Sequence, residues 1–396
     1  MIVLQAYRYE LAPTKHEEEC LLRHAGTARF AYNWAIERCR RALAERERPP
    51  SGWALCHEWN VWKRTNAPWW KEVSKCAPQG AFRNVQRAYE NWRSGRAHEP
   101  RYHRRKAKDS FRLDGSIRVA DGRVQLPRIG AVRTKETTVK FRGRILSATI
   151  RREVDRWFVS LNVERERTDP VPILGPAVGI DLGLTSFAVM SDGTRIESPK
   201  ALENSLDRLR KRSKALSRKE PGSRNQAKSA RALARLYYRI HCRRRDFLHK
   251  ATTRLARTKS VVVIEDLAVA NLARNHRTSR AIHDAGWAEF RRMLEYKAGW
   301  YGSRVVTAPR FYPSSKRCSG CGTVAEVLSL SERTYACGTC HLVIDRDLNA
   351  ARNLVSSVAG SSPETVNACG ADVSPILPDG QSAVSQEQSK RVNAHG

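Results

Sequence analysis

Four cysteines in the last third of the chain have the spacing of a metal site. Cys318-Ser319-Gly320-Cys321 is followed by fifteen residues and then by Cys337-Gly338-Thr339-Cys340. Two Cys-x-x-Cys pairs at that separation can close a tetrahedral thiolate site around one zinc ion. Four sulfurs leave no open position for water, so such a site is expected to be structural. His341 adjoins Cys340 and is awkwardly placed to replace a sulfur. Directly after this knot comes Asp345-Arg346-Asp347-Leu348-Asn349-Ala350-Ala351-Arg352-Asn353, so a rigid metal-bound element leads into a pair of carboxylates.

Two further acids stand at the ends of apolar runs. Asp181 lies in Ala177-Val178-Gly179-Ile180-Asp181-Leu182-Gly183, and Glu265 closes Val261-Val262-Val263-Ile264. Each alone is a weak signal. The Glu265-Asp266 pair resembles the acidic pair of a phosphate-loop enzyme, but no Gly-x-x-x-x-Gly-Lys-Ser/Thr accompanies it. Asp266 is expected to cap the helix that follows. Asp181, Glu265 and Asp347 come from three separated segments, and gathered at neighbouring strand ends they would repel one another unless a cation joined them. Hard oxygen donors suit Mg2+ or Mn2+, and two such ions about 4 Å apart activate water and stabilise the leaving oxygen of a phosphodiester. The chemistry expected is metal-assisted phosphodiester hydrolysis.

The elements that must position these acids can be traced in order. Ile2–Tyr9 reads as a strand. Thr14 and Glu17 are spaced as a capping box, opening a helix with Leu21, Ala25, Ala28, Tyr32, Ala35 and Ile36 on one face. Residues 51–95 read as further helices broken near Pro68 and Pro78, and they hold most of the tryptophans, which are expected mainly in a core. Asp121-Gly122 is a hairpin signal between Ile117–Val119 and Val124–Leu126. Leu146–Ile150 and Trp157–Val163 form another strand pair, with Trp157, Val159, Leu161 and Val163 alternating inward. Short strands with basic outward positions suggest a small β-barrel, which the N-terminal strand would join, leaving the helices of 12–99 as an insertion. A Pro-rich linker, Pro170–Pro176, precedes the Asp181 strand. Residues 202–257 read as Arg-rich helix interrupted at Pro221-Gly222, with Leu233, Leu236, Ile240, Phe247, Ala251 and Leu255 as a buried stripe. Val261–Ile264 is a buried strand, Trp287–Trp300 a helix, and Val305-Val306 a strand. The tail from 356 to 396 lacks aromatic residues and is expected to be disordered.

Charge identifies the partner class. The 396 residues carry 72 Lys and Arg against 40 Asp and Glu, a formal net charge of +32. Self-repulsion of that size calls for a polyanion, and nucleic acid is the default. Candidate phosphate contacts are the basic run Arg101, Arg104, Arg105, Lys106 and Lys108, the triplet Arg243, Arg244 and Arg245 on the Arg-rich helix, and Lys316. No apolar run approaches the length of a membrane span, and the N-terminus lacks a signal peptide's apolar core. The six cysteines outside the two pairs are scattered, which points to a reducing cytoplasm rather than a disulfide framework.

Together, Gly179–Gly183, Val263-Ile264-Glu265-Asp266-Leu267, Tyr312-Pro313-Ser314-Ser315-Lys316 leading into Cys318–Gly322, and Asp345–Ala351 resemble the TnpB family, transposon-encoded RNA-guided DNA nucleases related to miniature type V CRISPR effectors. The resemblance runs to about Leu354. It implies an α/β, RuvC-like (RNase H-type) nuclease domain over 170–309 with a zinc-ribbon insertion at 310–344 and a last segment at 345–355. It also implies an OB-like wedge barrel over 1–11 and 100–169, and a helical recognition lobe over 12–99. It implies Asp181, Glu265 and Asp347 as ligands of Mg2+ or Mn2+, with Asp345 as the alternative third ligand, and structural Zn2+ on Cys318, Cys321, Cys337 and Cys340. The partners implied are a guide RNA and double-stranded target DNA beside a short flanking motif, in a prokaryotic cytoplasm at the nucleoid. The family often has Gly where this chain has His341. A catalytically silent binding regulator and a nuclease guided by protein contacts alone are the competing readings.

Overall fold

Strand β1 (Ile2–Leu11) pairs along its whole length with β7 (Arg156–Glu166), antiparallel, from Ile2 opposite Glu166 to Leu11 opposite Trp157. In the computed structural model, which describes residues 1–105, 109–329 and 332–359, the chain divides into two units, Met1–Asp169 and a second that begins at Pro170.

The first unit combines strands and helices. Helix α1 (Lys15–Ala44) starts at the expected capping box, with the Thr14 hydroxyl accepting from the Glu17 amide and the Glu17 carboxylate accepting from the Thr14 amide. Helices α2 (Gly52–Asn66) and α3 (Cys76–Arg93) follow. The chain breaks at Pro68 as expected, but Pro78 does not break it. Pro78 lies in the first turn of α3, where its missing N–H has no partner to lose, and the break falls instead at extended Val73. Strands β2 (Ser110–Leu113), β3 (Arg118–Ala120), β4 (Arg123–Leu126), β5 (Gly130–Arg133) and β6 (Arg144–Glu153) complete two sheets, ordered β1-β7-β6-β2 and β3-β4-β5. Asp121 and Gly122 take positive φ, 40° and 71°, as a primed hairpin turn requires.

A bridge between Leu11 and Thr134 joins the sheets, and Leu11, Phe111, Val124, Val132, Ile150, Trp157 and Leu161 fill one interior, making a small β-barrel. One α1 helix serves two cores. Its Leu21, Ala25 and Ala28 pack on the barrel, while Ala31, Tyr32, Ala35 and Ile36 pack with Trp59 of α2 and Phe82 of α3. Trp34, Trp59 and Phe82 meet ring to ring there, so much of the tryptophan run is core; Trp53, 77% exposed, is not.

The second unit is built on β8 (Val178–Leu182), β9 (Ala188–Met190), β10 (Arg195–Ile196), β11 (Val261–Glu265) and β12 (Arg304–Ala308), in the order β10-β9-β8-β11-β12. Strands β8, β11 and β12 run parallel, β9 returns antiparallel to β8, and β10 runs antiparallel to β9 in turn, which is the RNase H-type arrangement. Helices α4 (Leu206–Ser217) and α5 (Arg224–Thr258) are separated at Pro221-Gly222. The upper part of the α5 stripe, Leu233, Leu236 and Ile240, packs with Leu209 of α4, and the lower part, Ala251 and Leu255, packs on the sheet. Short α6 (Val269–Leu272) and α7 (Ser279–Ala285) lead to α8 (Trp287–Tyr301). A hairpin of β13 (Thr334–Ala336) and β14 (Val343–Asp345) then runs into α9 (Arg346–Ala359). The boundary expected at residue 356 falls inside α9, and the rest of the tail lies outside the described residues. No helix among the described residues is long and apolar enough to cross a membrane.

Strand alternation sorts the sheet's residues between its faces. Val178, Ile180, Val262 and Ile264 pack under α5 and α8, whereas Val263 packs with Leu354 of α9 on the opposite face. Gly179 lies on that opposite face too, and α9 approaches so closely that a Cβ on Gly179 would stand 2.0 Å from the Ala351 carbonyl oxygen. Backbone cannot yield there as a flexible side chain would. Gly179→Ala is therefore expected to lower the second unit's stability by about 1–3 kcal/mol or more. Thermal unfolding measures it, and an unchanged melting temperature would show that α9 is not seated as described.

Candidate active site

The same alternation places Asp181 and Glu265. Each is two residues along its strand from a residue that faces α9, Gly179 in β8 and Val263 in β11, so both acids emerge on the α9 face. The register sets Ile180 opposite Ile264, bringing the two strand ends level. Asp347 sits in the first turn of α9, its side chain 19% exposed. The charges of Glu265 and Asp347 both act on Asp181, which puts the three acids in one neighbourhood. Burial, and then the charges of Glu265 and Asp347, push the Asp181 carboxyl up to about 8, with Arg346 opposing and Asp345 adding a smaller push.

Asp345 is engaged differently. Its carboxylate accepts the Leu348 amide at 3.0 Å, capping α9, and pairs with Arg195 at 2.8 Å. Burial works against its charge, but these two contacts outweigh it and hold the carboxyl below the usual carboxylate range. Asp266 does not cap a helix. Ala268 is the residue before α6 and makes no side-chain cap, while Asp266 bridges Arg291 at 2.9 Å and Arg310 at 2.6 Å. Two guanidiniums beside a half-buried carboxylate are a stronger attraction than orphan amides of a four-residue helix.

Several residues that hold this site carried no signal of their own in the sequence. The Ser314 hydroxyl donates to Glu265 at 2.5 Å. Asn353, almost wholly buried, donates to the Ser314 carbonyl at 2.8 Å. Asn349 donates to the Arg317 carbonyl at 2.7 Å and accepts from the Ser319 amide at 2.9 Å. Helix α9 thus clamps both the Glu265 neighbour and the base of the cysteine ribbon. The i, i+4 spacing of the two asparagines, which sets them on the same helix face as Ala350 and Leu354, is the sign that could have exposed them.

In the ribbon, the Sγ atoms of Cys318, Cys321, Cys337 and Cys340 all lie within 4.8 Å of one another, a set that could hold a metal ion. Among the described residues it is the group of three or more such side chains that meets that spacing. Backbone amides of Gly320 and Cys340 point at the sulfurs of Cys318 and Cys337, 3.4 and 3.5 Å away. His341 is outside the quartet and takes φ 59°, a left-handed conformation that glycine adopts without strain.

The predicted basic contacts divide. Arg101, Arg104 and Arg105 are exposed, and Lys106 and Lys108 lie outside the described residues. Arg243 and Arg245 are on α5. Arg244 is committed inside the unit, donating to the His283 carbonyl and pairing with Asp284. Lys316 donates to the Glu326 carbonyl within the ribbon.

An RNase H-type sheet carrying Asp181 and Glu265 at neighbouring strand ends, with Asp347 on the helix that follows a four-cysteine ribbon, defines a RuvC-like protein. Residues 160–276 match the family described as "Probable transposase", residues 287–354 the "Cas12f1-like, TNB domain", and residues 1–48 a "Helix-turn-helix domain", where the fold is one strand and one long helix. Two relatives are named "Putative RNA-guided DNA endonuclease". One, from Streptomyces pristinaespiralis, is 38% identical over 98% of this chain and 97% of its own. The other, InsQ of Escherichia coli (strain K12), is 32% identical over 93% and 94%. The TnpB-like protein L79 of Acanthamoeba polyphaga mimivirus is 25% identical over 45% of this chain and 36% of its own. A solved structure titled "Cryo-EM structure of the Cas12f1-sgRNA-target DNA complex" aligns at TM-score 0.35 and 14% identity, covering 89% of this chain and 98% of that one. The chain belongs to the TnpB family.

Two outcomes test this geometry. A carboxyl raised in the fold favours folding while protonated, so ion-free protein should lose stability as pH rises from about 4, the unfolded value, through about 8. Adding Mg2+ should then raise the melting temperature more at about pH 8.5 than at about pH 5.5, because the ion binds the carboxylate form; equal shifts would contradict it. Cys318→Ser with Cys321→Ser should lower both bound metal and melting temperature, and purified protein with undiminished metal would rule out the quartet as its site.

Proposed function

We propose that the protein is an RNA-guided DNA endonuclease that hydrolyses phosphodiesters at the RuvC-like face. The observation that carries this reading is the meeting of Asp181, Glu265 and Asp347 on one face of the RNase H-type sheet. The donor set fits divalent ions: all ligands are hard oxygens, and burial, then the charges of Glu265 and Asp347, suppress the ionisation of Asp181, which a cation would restore. Asp181, Glu265 and Asp347 would hold Mg2+ or Mn2+. Such ions, when bound, supply a water nucleophile and neutralise charge on the leaving oxygen.

The chain's own residues do the rest. Ser314 orients the Glu265 carboxylate, and Arg195 keeps Asp345 turned toward itself and the α9 amides, leaving Asp347 as the helix-borne ligand. The cysteine quartet would hold Zn2+ with no site open to water, so its part is to fix the ribbon against α9. The names of the full-length relatives support a guide RNA and a DNA target, and a net charge of +32 supplies the attraction for both. On this reading the barrel of 1–11 and 100–169 is the wedge, 12–99 the recognition lobe, and Arg101, Arg104, Arg105, Lys106, Lys108, Arg243, Arg245 and Lys316 contribute phosphate contacts, with base pairing choosing the sequence. Retention of all three acids weighs against a silent regulator, and RNA bound to the purified protein would separate a guided nuclease from one steered by protein contacts alone.

The test is a metal-dependent cleavage assay of the protein expressed with its neighbouring DNA, on plasmids with randomised flanks. Asp181→Ala should retain RNA and target binding while cleavage falls by at least about 100-fold, in line with removal of an essential charge-stabilising group. Cutting at the parent's rate would overturn the site assignment.

A further inference from the structure

Phe311 is 93% exposed, more than Trp53 at 77% or Tyr237 at 54%. A single surface aromatic needs no explanation by itself. This one differs in how firmly its segment is held. On one side, Ala308 is buried and pairs with Glu265 in the sheet, and Arg310 grips Asp266 through both Nε and Nη2, at 2.8 and 2.6 Å. On the other, the Tyr312 amide donates to the Pro309 carbonyl at 3.0 Å, Ser314 donates to Glu265, and the Ser314 carbonyl accepts from Asn353. Pro309 and Pro313 stiffen the turn further. The ring is therefore displayed by a rigid turn rather than left out by a loose one.

We infer that Phe311 is a stacking platform for a nucleobase of the DNA strand whose phosphate lies at Asp181 and Glu265. The inference rests on the nuclease reading above and names a substrate contact of that same site. Phe311 follows Arg310 and precedes Ser314 in the chain, and the side chains of those two bond Asp266 and Glu265, so the ring is carried on a segment anchored at both ends to the acidic strand end. Every base offers a π-face, and stacking on an exposed aromatic tolerates any sequence, as a guided nuclease needs. The half-exposed Arg310 guanidinium, one residue before the ring in the chain, adds positive charge for a phosphate and suits a nucleic acid better than an apolar partner.

The experiment uses the full chain purified with its RNA and single-stranded DNA oligonucleotides in which 2-aminopurine is moved one position at a time. The parent should quench fluorescence at one or two adjacent positions. Phe311→Ala should abolish that quench and weaken DNA binding by about 5- to 100-fold, whereas Phe311→Trp should keep both; melting temperatures should match the parent, since the ring is outside the core. An unchanged quench profile and affinity in Phe311→Ala, or a parent that quenches at no position, overturns the platform. Cleavage is scored separately. A complex that stacks the base but never cuts leaves the platform standing and removes the nuclease reading, while one that cuts with Phe311→Ala indistinguishable in affinity, rate and quench does the reverse.

Discussion

Like charges do not gather without being forced, and the second unit is arranged to force them. Asp181 is pushed up to about 8 because its carboxyl is crowded by protein and by Glu265 and Asp347. Three carboxylates in one neighbourhood cost stability in the ion-free fold. That cost is tolerable only if packing elsewhere fixes β8, β11 and α9 against one another, and only if it is repaid when a cation arrives. The rest of the unit can be read as the means of holding that arrangement.

Two features do most of the holding. Gly179 lets α9 lie directly on β8, so the helix N-terminus carrying Asp347 reaches the strand end carrying Asp181. Asn349 and Asn353 then tie the same helix to the segment between Arg317 and Ser319 and to Ser314, whose hydroxyl meets Glu265. The cysteine ribbon is inserted between β12 and α9, and a metal knot there restricts how the chain enters the helix. The helix start favours a negative side chain at Asp347 through its unpaired amides, which partly offsets the repulsion.

Much of this was legible because short local rules were obeyed. The Thr14–Glu17 capping box, the Asp121-Gly122 turn, the alternation from Trp157 to Val163 and the Cys-x-x-Cys pairs each follow from spacing alone. What escaped depended on partners distant in sequence. Asp266 reads as a helix cap until Arg291 and Arg310 are brought beside it. Arg244 reads as a phosphate contact until His283 and Asp284 take it up. Pro78 reads as a break unless the helix is known to start two residues earlier. The choice between Asp345 and Asp347 is likewise tertiary, since Arg195 comes from a different strand altogether.

The most direct test of the central claim is Mn2+ binding to the purified protein, followed by the loss of the free-ion electron paramagnetic resonance signal. The account predicts binding that is abolished or greatly weakened by Asp181→Asn, Glu265→Gln or Asp347→Asn and retained by Asp345→Asn. Mn2+ bound equally well by the variant lacking all three acids would contradict it.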